Sequence, residues 1–176
     1  MGKRLLEYLT LLVPSGAIVA LDQWTKWWIR QNLPFEATWI PAGLEGLRPY
    51  ARFVHWHNSG AAFGMFQEGG MVFTVLAILV VAAILYYFPK VDHADWPVRL
   101  AMVLQLGGAA GNLIDRLFVG EVTDFISIGT FPVFNVADSA ITLGVIVLLV
   151  GVWWKERQAK RSIVPHEQTD QSGPPA

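Results

Sequence analysis

Cysteine is missing from all 176 residues. That excludes disulfide staples, thiolate nucleophiles and cysteine-based metal or iron–sulfur sites. Charge is scarce as well: 15% of residues are Asp, Glu, Lys or Arg, and the formal net charge is −1. Without a basic excess there is no surface to neutralise phosphates, so no nucleic-acid partner is expected. There is no Gly-rich phosphate loop, no GxSxG elbow and no internal repeat. What remains is apolar. Hydrophobic residues make up 53% and the mean hydropathy is +0.41, the composition of an integral membrane protein of a single domain.

Four spans are predicted, at about 8–29, 71–88, 98–119 and 137–154. The first opens with Lys3 and Arg4 but lacks a small-residue cleavage site, so it reads as a retained helix rather than a cleaved leader. Trp24, Trp27 and Trp28 suit an interface at its far end, and Pro14 is placed to bend it. Between the first two spans, RFVHWH alternates like a strand and predicts a small β element at the membrane surface. Residues 120–136 read as a short re-entrant or surface loop, with Pro132 preventing helix continuity. Residues 158–176 read as a polar, disordered tail following one domain over 1–157.

Basic residues set the orientation. With the N-terminus inside, Lys3, Arg4, Lys90, Arg99, Lys155, Arg157, Lys160 and Arg161 face the cytoplasm, and Arg30, Arg48 and Arg52 lie outside. Both termini are then cytoplasmic. This topology brings polar groups from separate segments to one depth at the outer surface: Asp22 and Lys26, then Asn112, Asp115 and Arg116, then Asp124 and Asp138. Ionisable groups at membrane depth cost on the order of 2–3 kcal/mol each, so such clustering marks a site.

Each constellation also has a bland reading. Asp22 and Lys26, one turn apart, make an interfacial ion pair. Gly107 and Gly111 have GxxxG spacing and suit close helix packing. Gly108, Asn112 and Arg116 share a stripe, and Arg116 suits a structural clamp. Asp138 fits a helix N-terminus and Asp124 a loop cap. Together, though, two carboxylates at a low-dielectric surface cannot both ionise. One then acts as base toward water while the other, protonated, donates to a carbonyl oxygen. Two other chemistries rank lower: a Ser59–Lys26 dyad, and a metal at His55 and His57, which would need carboxylates to complete it. Beyond catalysis, a small proton-coupled transporter or an assembly scaffold on the GxxxG face would also use these residues.

The blocks DQWTK (22–26), NSGAAFG (58–64), GGAAGNLIDR (107–116), VTDF (122–125) and FNVADSAI (134–141) resemble, in order, those of the lipoprotein signal peptidases, also called signal peptidase II. The resemblance implies an all-α membrane fold, four transmembrane helices with a small extracytoplasmic β-cradle (35–66) between helices 1 and 2. It implies an aspartic endopeptidase of the bacterial inner membrane that removes signal peptides from diacylglyceryl-modified prolipoproteins, cutting before the lipidated cysteine. Carried over by motif, Asp124 and Asp138 would be the catalytic pair. Asp22, Lys26, Asn58, Gly108, Asn112, Arg116 and Asn135 would bind substrate or support the pair. Membrane lipid and globomycin-type cyclic peptides are the further partners implied. No cofactor or metal is expected, and a monomer is. The segment between the two aspartates is shorter than in many relatives, which leaves little room for a lid helix.

Overall fold

The computed structural model describes residues 2–59 and 70–162. Four long helices dominate: α1 (Gly2–Asn32), α2 (Gly70–Tyr87), α3 (Trp96–Phe118) and α4 (Val136–Ser162). Three strands accompany them: β1 (Thr38–Trp39), β2 (Ala51–Asn58) and β3 (Val122–Ile128). The helices α1, α2 and α4 are long and apolar enough to cross a membrane, and at most 17% of each apolar stretch is buried inside the protein. Their apolar side chains point outward, as a hydrocarbon solvent requires.

α3 is the inner helix. It buries Ala101, Val103, Leu106, Gly107, Gly108, Ala109, Gly111, Asn112 and Asp115, and the other three helices pack around it. Glycines decide how closely. A Cβ on Gly107 would stand 2.7 Å from Ile18 of α1, and one on Gly108 would stand 2.4 Å from the Ala137 carbonyl of α4. α2 leans on α3 and barely meets α4. Below the polar zone Leu11, Ile84, Phe88, Val103 and Leu106 form an apolar core.

The sheet departs from the expected loop assignments. It is antiparallel, ordered β1–β2–β3, and its third strand comes from the link between α3 and α4. Residues 120–136 are therefore not a plain loop, and the cradle is not confined to the segment between the first two helices. Gly120 (φ +96°) ends α3 in the left-handed conformation, taking its N–H to the Asp115 carbonyl at 3.0 Å. That turn releases the chain directly into β3. In β2, register runs Phe53↔Ile126 and then Trp56↔Asp124, so one extra residue bulges between them.

Helix limits also differ from expectation. α1 starts earlier than residue 8 and runs through Pro14 without interruption. α4 continues to Ser162, five residues into the expected tail, because Glu156 to Lys160 is a run of good helix formers. The remainder of that tail (163–176) and most of the NSGAAFG block (60–64) lie outside the described residues. Between β3 and α4 the chain turns at Gly129–Phe131 and pairs Phe134 with Ile126, and no helix intervenes. The short inter-aspartate segment has no lid helix.

Candidate active site

Asn135 and Asp138 begin α4, and each satisfies the other. Asp138 N–H donates to Asn135 Oδ1 at 2.9 Å, and Asn135 N–H donates to Asp138 Oδ2 at 3.2 Å. This is a capping box built with Asp, and it orients both side chains by the backbone of one helical turn. The Asn135 amide then reaches across to β3, donating to Asp124 Oδ1 at 2.7 Å and to Asn112 Oδ1 at 3.1 Å. Asn112 in turn donates to Asp138 Oδ1 at 2.7 Å. From β2, Asn58 donates to Asp124 Oδ2 at 2.9 Å. Three asparagines thus hold two carboxylates.

Burial, and next the charge of Asp138, push the Asp124 carboxyl up to about 7, against the hydrogen bonds from Asn58 and Asn135. Asp124 is 1% exposed, whereas Asp138 opens on a cavity of about 590 Å³. Asn58, Asn112, Arg116, Ser139 and Thr142 join Asp138 in the polar part of its wall; Phe73, Phe131, Phe134 and Leu143 belong to the apolar part. A second cavity of about 350 Å³ shares Phe73, Asn112, Arg116 and Asp138 and continues between α2 and α4 past Leu76, Ala77, Val80, Ile141 and Val145. Arg116 lines both, donating to the Asn112 carbonyl at 3.5 Å, with Phe73 5.8 Å from its guanidinium.

A buried charge network stands behind the aspartates. Lys26, fully buried, contacts Asp22 Oδ2 at 2.8 Å, Asp115 Oδ2 at 3.1 Å and Asn112 Oδ1 at 2.9 Å. Asp22 Oδ1 accepts the Ala137 N–H at 2.9 Å, so α1 holds the positive end of α4. Gly111 permits this, since a Cβ there would lie 2.7 Å from Asp22 Oδ2. Asp115 receives the Thr123 N–H at 3.0 Å and Gln23 at 3.1 Å, with Arg30 3.7 Å away. Sequence reasoning set Asp115 at the depth of the site without giving it a role, and left Gln23, Thr123 and Arg30 out of the site.

The structure therefore gathers Asp22, Lys26, Asn58, Asn112, Arg116, Asp124, Asn135 and Asp138. Gly108 is turned to the backbone of α4, where it sets helix spacing. Lys26 is held as a cation between two carboxylates, which removes it as a base for Ser59. His55 and His57 lie on the other side of the sheet from Asp124.

Two carboxylates held together at the head of a cavity, among helices long and apolar enough to cross a bilayer, mark the candidate site of a membrane protein. Residues 15–154 match the family described as signal peptidase (SPase) II, and the chain belongs to that family. It is similar to the lipoprotein signal peptidase of Halalkalibacterium halodurans, 37% identical over 89% of this chain and 97% of that one. It is 41% identical to that of Geobacillus kaustophilus over 80% and 90% of the two chains. For that of Acinetobacter baumannii the figures are 38%, 84% and 85%. A bacterial membrane enzyme solved by the in meso method superposes with a TM-score of 0.73 at 28% identity, covering 92% of this chain and 94% of that one. A second such structure gives 0.71 at 30% identity, covering 81% and 92%. As a member of that family the chain is a peptidase.

Proposed function

We propose that this membrane peptidase removes signal peptides from diacylglyceryl-modified prolipoproteins, cutting before the lipidated cysteine with a water activated by Asp124 and Asp138. The observation that carries the reading is the asparagine-held pair of carboxylates, one of them buried and pushed well above the ordinary Asp range, at the head of a largely apolar cavity. Asp138, open to the cavity, takes a proton from water as the water oxygen attacks the scissile carbonyl carbon. Asp124 gives its proton to the carbonyl oxygen. Collapse of the tetrahedral intermediate returns that proton to Asp124 and passes the other from Asp138 to the leaving amine nitrogen. Asn58, Asn112, Asn135 and Arg116 bind substrate or hold the pair, and Asp22, Lys26 and Gly108 fix α4 against α1 and α3.

In this reading residues 1–157 form one domain, all four helices span the bacterial inner membrane, both termini are cytoplasmic, and the sheet lies outside. The cavity between α2 and α4 takes membrane-borne substrate from the side, where each buried methylene contributes about 0.8 kcal/mol. A globomycin-type cyclic peptide would occupy the same cavity. The enzyme acts as a monomer.

The test is cleavage of a diacylglyceryl-modified prolipoprotein by the purified protein in detergent. Wild type and Ser59→Ala are expected to cleave, and Asp124→Asn and Asp138→Asn to be inactive while still folded. Cleavage surviving in either Asn variant would overturn the aspartate mechanism. Failure of the wild type would overturn the substrate.

A further inference from the structure

On the side of the sheet away from Asp124, two histidines meet. Trp56 and Asn58 share the Asp124 face through the register Trp56↔Asp124 and Asn58↔Val122, so His57, opposite Thr123, projects from the other. Its ring lies beside that of His55, centroids 5.1 Å apart. Each ring is already engaged at Nδ1. That of His55 is 2.8 Å from the Leu33 carbonyl, and that of His57 is 2.7 Å from Glu121 Oε1. A carbonyl and a carboxylate only accept, so both Nδ1 atoms carry the hydrogen. In the neutral rings both Nε2 atoms then present lone pairs, and they face each other at 3.2 Å. Lone pairs at that distance repel unless a cation sits against both.

We propose that His55 and His57 form a binding site for a divalent transition-metal cation of the class imidazole prefers, Zn²⁺ or Cu²⁺. With metal–nitrogen distances of about 2.0–2.1 Å, nitrogens 3.2 Å apart subtend roughly 100° at the metal, near the tetrahedral angle. The Nδ1 partners, a backbone carbonyl and a carboxylate, are those that orient metal-bound imidazoles. Among the described residues no third His, Cys, Asp or Glu joins as a ligand. Water completes the coordination, reaching the site past His57, whose side chain is 28% exposed. The bound ion ties together the exit of α1 at Leu33, strand β2 and Glu121 in the turn before β3. It is not part of the peptidase chemistry.

The test uses the full chain in detergent, free of any affinity-tag histidines, titrated calorimetrically with Zn²⁺ and examined with Cu²⁺ by electron paramagnetic resonance. One ion per chain is expected, with hyperfine coupling to two imidazole nitrogens. Binding is expected to vanish in His57→Gln and to weaken about 10–100-fold in Glu121→Gln, which removes the carboxylate but no ligand. Circular dichroism and unimpaired prolipoprotein cleavage would certify both variants as folded. Absence of binding in the wild type, the result if the rings merely share a proton, overturns the proposal. So does binding that persists in His57→Gln, which would move the ion to His93 or His166.

Discussion

Asn135 uses its side chain and its main-chain N–H to serve both aspartates, so the helix cap and the carboxylate pair are one object. The proton on Asp124 has two consequences. An unfolded Asp titrates near 3.9, and this one is pushed up to about 7. Between those values the folded chain holds a proton that the unfolded chain has released. Stability therefore falls as pH rises from about 4 to about 7 and levels off above, which thermal unfolding across that range would record. In the proposed mechanism the same proton serves the acid step, so kcat/KM for prolipoprotein cleavage is expected to fall as pH rises through about 7. Asp115 belongs at this scale too. Fully buried, it shares Lys26 with Asp22 and anchors the Thr123 N–H. Asp115→Asn is expected to cost about 3 kcal/mol, read from unfolding in detergent, because it leaves a buried cation short of a partner. Asp22 and Lys26 were legible from their four-residue spacing. Asp115 was placed at the same depth, but its partners were not legible, because they come from α1 and β3, far from it in the chain.

Among the elements, α3 works as a spacer whose thickness is set by glycine. Gly108→Ala drives a methyl into the Ala137 carbonyl, and Ala137 also carries the N–H that Asp22 accepts. The expected loss is about 1–3 kcal/mol, with slower cleavage, and parallel melts and turnover assays would check both. Strand β3 shows why part of the site stayed hidden. VTDFISI sits between Gly120 and a Pro-containing turn, and its ladder partner β2 lies more than sixty residues earlier, so nothing local marks it as sheet. RFVHWH, by contrast, shows its alternation openly. Even there the bulge between Phe53 and Trp56 was invisible, and it decides which side chains meet the aspartate. A shift of one residue turns a strand over. The bulge sets Asn58, and not His57, beside Asp124.

For the whole molecule, three long apolar helices and the gathering of polar groups at one end followed from hydropathy and charge. The gap between α2 and α4 did not, because it depends on which helices touch. That gap is lined by Ala77 and Val80 on one side and Ile141 and Val145 on the other. Ala77→Trp is expected to fill it and raise KM for lipidated substrate with little effect on unfolding temperature; unchanged kinetics would deny the gap any role in entry. On the proposed lateral route through that gap, enzyme and substrate would meet in two dimensions, among molecules confined to one leaflet. The concentration that governs the rate is then a mole fraction in the lipid, and adding bare bilayer or empty micelles slows turnover as surely as removing substrate.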